Sequence, residues 1–132
     1  MKKLMFYIIG MVFLFYQDSY PINPSGFCLS GDCVNGKGEI KVTSVKGNCV
    51  YTGQFKDGAP EGEGKFKCDG GDTYEGQFKE GNPNGEGTYV WTNGDKYTGQ
   101  WTNDRIEGKG TFTKANGNVY TGEFKKDKFN GK

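Results

Sequence analysis

The chain has 132 residues, about the size of one domain, with a net charge of +1 and no histidine. That balance excludes recognition of nucleic acid or anionic lipid by overall charge, and the missing histidine removes the commonest general base and metal ligand. With 23 glycines, 10 Phe, 8 Tyr and 2 Trp, the composition departs from an average globular chain, so the placement of those residues has to carry the reading.

Residues 1–20 are of a separate kind. Lys2 and Lys3 precede an uncharged, mostly apolar run from Leu4 to Tyr16, and Asp18 ends it. The run is shorter than the roughly 20 apolar residues of a spanning helix, and it has the build of a secretory signal. A cleavage site with small residues at the right places is hard to find, so a retained anchor helix is the rival expectation. Either role places the protein outside the cytosol: exported or membrane-anchored, and in the periplasm, envelope or extracellular space if the source is bacterial. Residues 21–27 read as a linker. Cys28 is a poor lipid-attachment site, because Phe27 precedes it and no aliphatic box leads to it.

Residues 28–50 contain Gly36-x-Gly38-x-Ile40 and two cysteines, Cys28 and Cys33. Their pattern becomes intelligible only beside the residues from Tyr51 onward, where one sentence recurs every 23 residues. Its first half is Tyr-x-Gly-x-aromatic: Tyr51, Gly53, Phe55, then Tyr74, Gly76, Phe78, then Tyr97, Gly99, Trp101, then Tyr120, Gly122, Phe124. Its second half is Gly-x-Gly-x-aromatic: Gly62, Gly64, Phe66, then Gly85, Gly87, Tyr89, then Gly108, Gly110, Phe112. Strict alternation predicts two strands per copy, each with one inward face of rings and glycines. The glycines leave room for rings of neighbouring copies to lie across them. Gln, Lys, Thr and Glu fall between and suit solvent. Asn93-Gly94 and Asn116-Gly117 predict tight two-residue turns, with Gly70-Gly71 in the same place, and Lys79 to Asn84 predicts a longer connection. A lone hairpin of this size is marginal, so each copy needs a neighbour.

These motifs resemble the MORN repeat (membrane occupation and recognition nexus). The resemblance covers 51–73, 74–96 and 97–119 as full copies and 120–132 as a partial one. It implies an all-β fold, an elongated antiparallel meander in a single layer of stacked 23-residue hairpins, which the N-terminal apolar run precedes as a signal or anchor helix. It also implies scaffolding, dimerisation or tethering near a membrane rather than catalysis. Residues 28–50 then read as a degenerate capping copy with three extra residues near Thr43 to Cys49. The segment Cys28-Leu-Ser-Gly-Asp-Cys33-Val-Asn-Gly36 is similar to the start of exported bacterial proteins of this type.

On this repeat scheme Cys49 and Cys68 fall near each other across a hairpin, and Cys28 and Cys33 close a small loop at the cap. Free thiols and a metal site are the alternatives, although Cys-x4-Cys without histidine is poor zinc spacing. No cofactor, metal or catalytic residue is expected. The Gly-x-Gly pairs lack the helix and the Lys-Ser/Thr ending of a phosphate loop. Within 51–132 there are 12 Lys and Arg against 13 Asp and Glu, so no basic surplus attracts nucleic acid. Three functions stay open. One is an exported or membrane-tethered scaffold that binds protein, or itself, through an open C-terminal edge strand, with residues 4–16 giving membrane proximity. The second is a carbohydrate-binding module with Trp91 as its platform. The third is peripheral binding of acidic phospholipid.

Overall fold

The computed structural model describes residues 2–8, 11–17, 26–44, 47–126 and 128–129. Alternation of rings and polar residues gives the expected all-β chain. The strands are β1 (Lys2–Ile8), β2 (Met11–Gln17), β3 (Gly26–Gly31), β4 (Lys37–Ser44), β5 (Gly47–Lys56) and β6 (Ala59–Cys68). They continue as β7 (Thr73–Lys79), β8 (Asn82–Val90), β9 (Lys96–Thr102), β10 (Arg105–Thr113), β11 (Val119–Lys125) and β12 (Lys128–Phe129). From β3 onward they form one ten-stranded sheet in strict sequence order, every pair antiparallel.

The N-terminal segment departs from the expected helix. Its described backbone is a separate hairpin, β1 against β2, in register from Lys2↔Gln17 to Ile8↔Met11. The run holds Phe6, Tyr7, Ile8, Val12, Phe13, Phe15 and Tyr16, and β-branched and aromatic residues favour strands over helices. Among the described residues, no helix is long and apolar enough to cross a membrane. Most of the expected linker, residues 21–25, lies outside the described residues, and Gly26 and Phe27 open β3.

Register turns the repeat into rows that run across the sheet. One is a glycine row: Gly31, Gly38, Gly53, Gly64, Gly76, Gly87, Gly99, Gly110 and Gly122, each paired with the next on the adjacent strand from β3 to β11. Beside it runs a ring row: Tyr51, Phe66, Tyr74, Tyr89, Tyr97, Phe112 and Tyr120. The tyrosine that opens each copy lies down over the glycines. A Cβ on Gly87 would fall 2.5 Å from Cζ of Tyr74, and one on Gly110 2.5 Å from Cζ of Tyr97. The ring therefore covers glycines of its own copy, not of a neighbour as the sequence suggested. The hydroxyl then has to find a partner. Tyr51 donates to the Gln54 carbonyl at 2.8 Å, Tyr74 to that of Gln77 at 2.9 Å and Tyr97 to that of Gln100 at 3.0 Å.

Neighbouring copies meet edge to face. Phe55, Tyr51, Phe78, Tyr74, Trp101, Tyr97 and Phe124 form one unbroken chain of rings, with centroids 4.9–5.5 Å apart at each step. Such pairs add about 0.5–1.5 kcal/mol each beyond burial. Trp101 also donates from Nε1 to the Gly87 carbonyl at 3.2 Å. Polar staples repeat with the rings. Asp72 accepts from the Tyr89 hydroxyl at 2.6 Å and from the Thr92 amide at 2.8 Å, and one period later Asp95 accepts from the Ala115 amide at 2.8 Å.

The turns reverse the expectation. The tight two-residue turns are Asp57-Gly58, Glu80-Gly81 and Asn103-Asp104, and both residues of each take positive φ. Their register is closed by Lys56↔Ala59, Lys79↔Asn82 and Thr102↔Arg105. Asn93-Gly94 sits instead in a longer loop. The Gly94 amide donates to the Trp91 carbonyl at 2.9 Å, and of that pair only Gly94 has positive φ. Asn93 Oδ1 accepts from the Asp95 amide at 3.0 Å, and Asn116 Oδ1 from the Asn118 amide at 3.0 Å. These asparagines thus fix the turn through the side chain rather than through a left-handed backbone. The fourth copy also extends further than expected: β12 pairs with the end of β11 through Phe124↔Phe129 and Lys125↔Lys128.

Both expected disulfides are present. Cys49–Cys68 joins directly opposed residues of β5 and β6, and Cys28–Cys33 closes the cap. In the cap, Cys28 pairs with Ile40, as Tyr51 does from the other side, and Cys33 lies two residues past the row glycine Gly31, where full copies have an aromatic. A covalent bond takes the place of a Tyr–Phe contact. Asp32 orders this loop by accepting from the amides of Val34 and Asn35 at 2.9 Å, bonds that lower its carboxyl pKa.

The ring-on-glycine packing has two measurable consequences. Gly87→Ala drives a methyl into Tyr74 and is expected to cost about 3 kcal/mol, as overpacking does. Gly117→Ala has nothing within 4 Å, only a φ of 96°, and is expected to cost about 1 kcal/mol. Urea midpoints of the two variants measure the difference, and equal losses would refute the packing argument. The second consequence concerns alkali. Burial raises the Tyr97 phenol to about 12 and lifts Tyr51, Tyr74 and Tyr89 further above their usual value of 10.0. Below that usual value both folded and unfolded chains keep the protons, so these groups give stability no pH dependence. Above it the unfolded chain ionises first, so stability falls as pH rises through the folded values. Unfolding should coincide with the tyrosinate absorbance step, and gradual ionisation of a folded chain would contradict it.

Candidate interaction surfaces

The sheet has two faces of opposite character. One is consumed by the rings. The other carries the residues on either side of each row glycine, since positions i−1 and i+1 of a strand share a face. It is polar throughout its central rows. The first of these reads Glu39, Thr52, Lys65, Glu75, Thr88, Thr98, Thr111 and Thr121 across β4 to β11. Its members interact in pairs. Thr52 donates to Glu39 at 3.0 Å, Lys65 meets Glu75 at 3.6 Å, Thr88 and Thr98 share a hydrogen at 3.0 Å, and Thr111 and Thr121 at 3.2 Å. Both partners of the Lys65–Glu75 ion pair are well exposed, so it adds little stability.

The second row holds Gln54, Glu63, Gln77, Glu86, Gln100, Lys109 and Glu123, and a local irregularity organises it. Each second strand has two extra residues near its first glycine, where the register shifts. Gly62, Gly85 and Gly108 take φ of 83°, 99° and 95° there. The glutamine of the preceding strand reaches across the gap. Gln77 Oε1 accepts from the Glu86 amide and Gln100 Oε1 from the Lys109 amide, both at 2.9 Å. Sequence reasoning placed these glutamines among residues that merely suit solvent. Their recurrence at Gln54, Gln77 and Gln100, each directly before a signature aromatic, was the available signal.

Between the two rows runs a shallow groove floored by the glycine row. One stretch, about 470 Å³, is lined by Glu86, Gln100, Lys109, Thr111, Thr121 and Glu123 with Gly110 and Gly122. Another, about 370 Å³, lies between Lys37, Gln54 and Glu63 on one side and Thr52, Lys65 and Glu75 on the other. Neither stretch contains a nucleophile with an adjacent base. Among the described residues no group of His, Cys, Asp or Glu is arranged to hold a metal ion. The four cysteines are all in disulfides, so Cys28 offers no thiol for acylation.

Trp91 lies on the ring face, not on the groove. Its ring stands 4.7 Å from Tyr89 and 5.5 Å from Phe112, partly buried against the core, which removes it as an exposed sugar platform. Large exposed apolar side chains among the described residues are confined to the two ends of the array: Leu29 on β3, and Val119 and Tyr120 on β11.

No curated protein matches the chain. The profile of the MORN repeat matches residues 51–73, 74–96, 97–119 and 120–132. MORN repeats are generally protein- or membrane-interaction modules, and proteins built from them are typically non-catalytic scaffolds. With its signature rings and glycines stacked into one sheet over more than half its length, this chain belongs to the MORN-repeat family.

Proposed function

We propose that this protein is a non-catalytic scaffold, exported or tethered to a membrane, that binds protein through the ends of its array. The observation that carries the reading is the confinement of exposed apolar side chains to β3 and β11. The copies between them bury their rings against neighbours, so β3 and β11 hold the exposed apolar surface available to a partner or a second copy. Among the described residues β12 pairs only with Phe124 and Lys125, and the rest of β11 adds backbone to that surface.

Export is supported by the basic and apolar build of residues 2–16 and by two disulfides, which persist in oxidising compartments. Binding of acidic lipid by the array itself is the weaker reading, because its acids and bases nearly cancel.

The test uses native protein from separated cell fractions. Thiol labelling without reduction is expected to mark no cysteine, and N-terminal sequencing to find either Met1 in a membrane fraction or a start between Tyr20 and Phe27 outside the cytosol. A cytosolic chain with four labelled thiols ends the export reading. Light scattering on the purified native fraction is expected to show a discrete complex that Val119→Lys with Tyr120→Lys dissolves. A monomer without partner, or a complex indifferent to that change, ends the end-surface reading.

A further inference from the structure

We propose that the groove on the polar face binds a linear β-1,4-linked polysaccharide, laid along the glycine row across the strands. This goes beyond the scaffold reading, since it assigns a ligand to a face that reading leaves unused.

The wall of glutamines and glutamates carries the argument. Gln54, Glu63, Gln77, Glu86 and Gln100 come from the consecutive strands β5 to β9, one every 4.8 Å or so. The amide oxygens of Gln77 and Gln100 are held by backbone N–H groups, so these side chains offer the groove their N–H donors. The intervening carboxylates only accept. The wall therefore alternates donor and acceptor from strand to strand, in orientations the backbone fixes. Facing it, the hydroxyl pairs Thr88–Thr98 and Thr111–Thr121 each keep one hydrogen to donate and lone pairs to accept.

A pyranose residue in an extended β-1,4 chain advances by nearly one strand spacing, and successive residues are turned over. Its hydroxyl edge thus alternates at the period of the wall, and a disaccharide spans one MORN copy. An extended peptide advances about 3.1–3.4 Å per residue and falls out of step by the next strand. Charge points the same way. Glu86, Lys109 and Glu123 put mixed signs along one stretch, which suits a neutral polyhydroxyl chain and disfavours a polyanion. The described rings of the repeats lie on the other face, so affinity comes from hydrogen bonds summed over length rather than from stacking.

Calorimetry on the full, oxidised chain tests this with cellohexaose and chitohexaose, their disaccharides, and maltohexaose as the α-linked control. The β-linked hexasaccharides are expected to bind about tenfold tighter than the disaccharides. Maltohexaose should give no heat, and tryptophan emission should stay constant. Thr111→Val with Thr121→Val keeps strand-forming residues and should weaken binding about fivefold, the loss of one net hydrogen bond. Glu86→Gln, an exposed change, should weaken it too and serves if the double variant does not fold. Silence with both β-linked hexasaccharides, equal binding of maltohexaose, a tryptophan response, or indifference to both variants overturns the proposal. So does a basic peptide that binds the groove in place of the glycans.

Discussion

Everything in this sheet depends on a tyrosine ring lying flat on a glycine row. The described repeats bury their apolar face under their own rings, whereas most domains pack two layers around a core. Here the core is one ring thick and rests on the sheet that carries it. That works only where the strand beneath has no side chain, as at Gly64, Gly87 and Gly110 under Tyr51, Tyr74 and Tyr97. It also requires a partner for each phenol at the far end of the ring. The carbonyl three residues along its own strand supplies one, so ring, glycine and glutamine position are tied in a single geometric unit.

The units couple to their neighbours by the same rings turned on edge. Phe78 stands between Tyr51 of the copy before and Tyr74 of its own, and Trp101 does the same between Tyr74 and Tyr97. Backbone bonds add to this: the Gly81 amide donates to the Pro60 carbonyl and the Asp104 amide to the Pro83 carbonyl, both at 2.9 Å. Stability is therefore largely a sum of nearest-neighbour terms. Two disulfides add covalent links within β3 to β6. Cys28–Cys33 stands where a ring pair would, and Cys49–Cys68 locks the first complete hairpin. The later copies have no covalent counterpart among the described residues, and Phe112 and Tyr120 are less buried than Tyr89 and Tyr97, their equivalents one copy earlier.

The sequence was most legible where one residue type has one physical use. Tyr-x-Gly-x-aromatic gave strands, facing and stacking because alternation has few other meanings. The cysteines paired as expected because the repeat frame put Cys49 opposite Cys68. Turns were less legible because Asn-Gly serves two geometries. Loop length decided between them: the long loop lets Asn93 bond ahead to Asp95, whereas the tight turn forces Glu80 to a φ of 51° that its side chain does nothing to advertise. The glutamines were missed for a related reason. An exposed amide reads as surface until the backbone N–H it accepts from is known. At the N-terminus an apolar run satisfied both helix and strand rules, and β-branched and aromatic content favoured the hairpin.

The bulge that admits the glutamine orders the polar face. Two extra residues near Gly85 shift the β7–β8 register, and Gln77 reaches over the gap to the Glu86 amide. The packed ring face varies only among aromatics, Phe66, Tyr89 and Phe112 in one column and Phe55, Phe78 and Trp101 in another. Charge differs between copies where nothing packs. The position before the second glycine is Glu63, Glu86, then Lys109, and the position after it is Lys65, Thr88, then Thr111. The first copies carry an ion pair in the row where the last carry only hydroxyls. A partner reading the polar face meets a fixed spacing with graded chemistry. Selectivity then resides in those few positions, and the repeat itself supplies only the ruler.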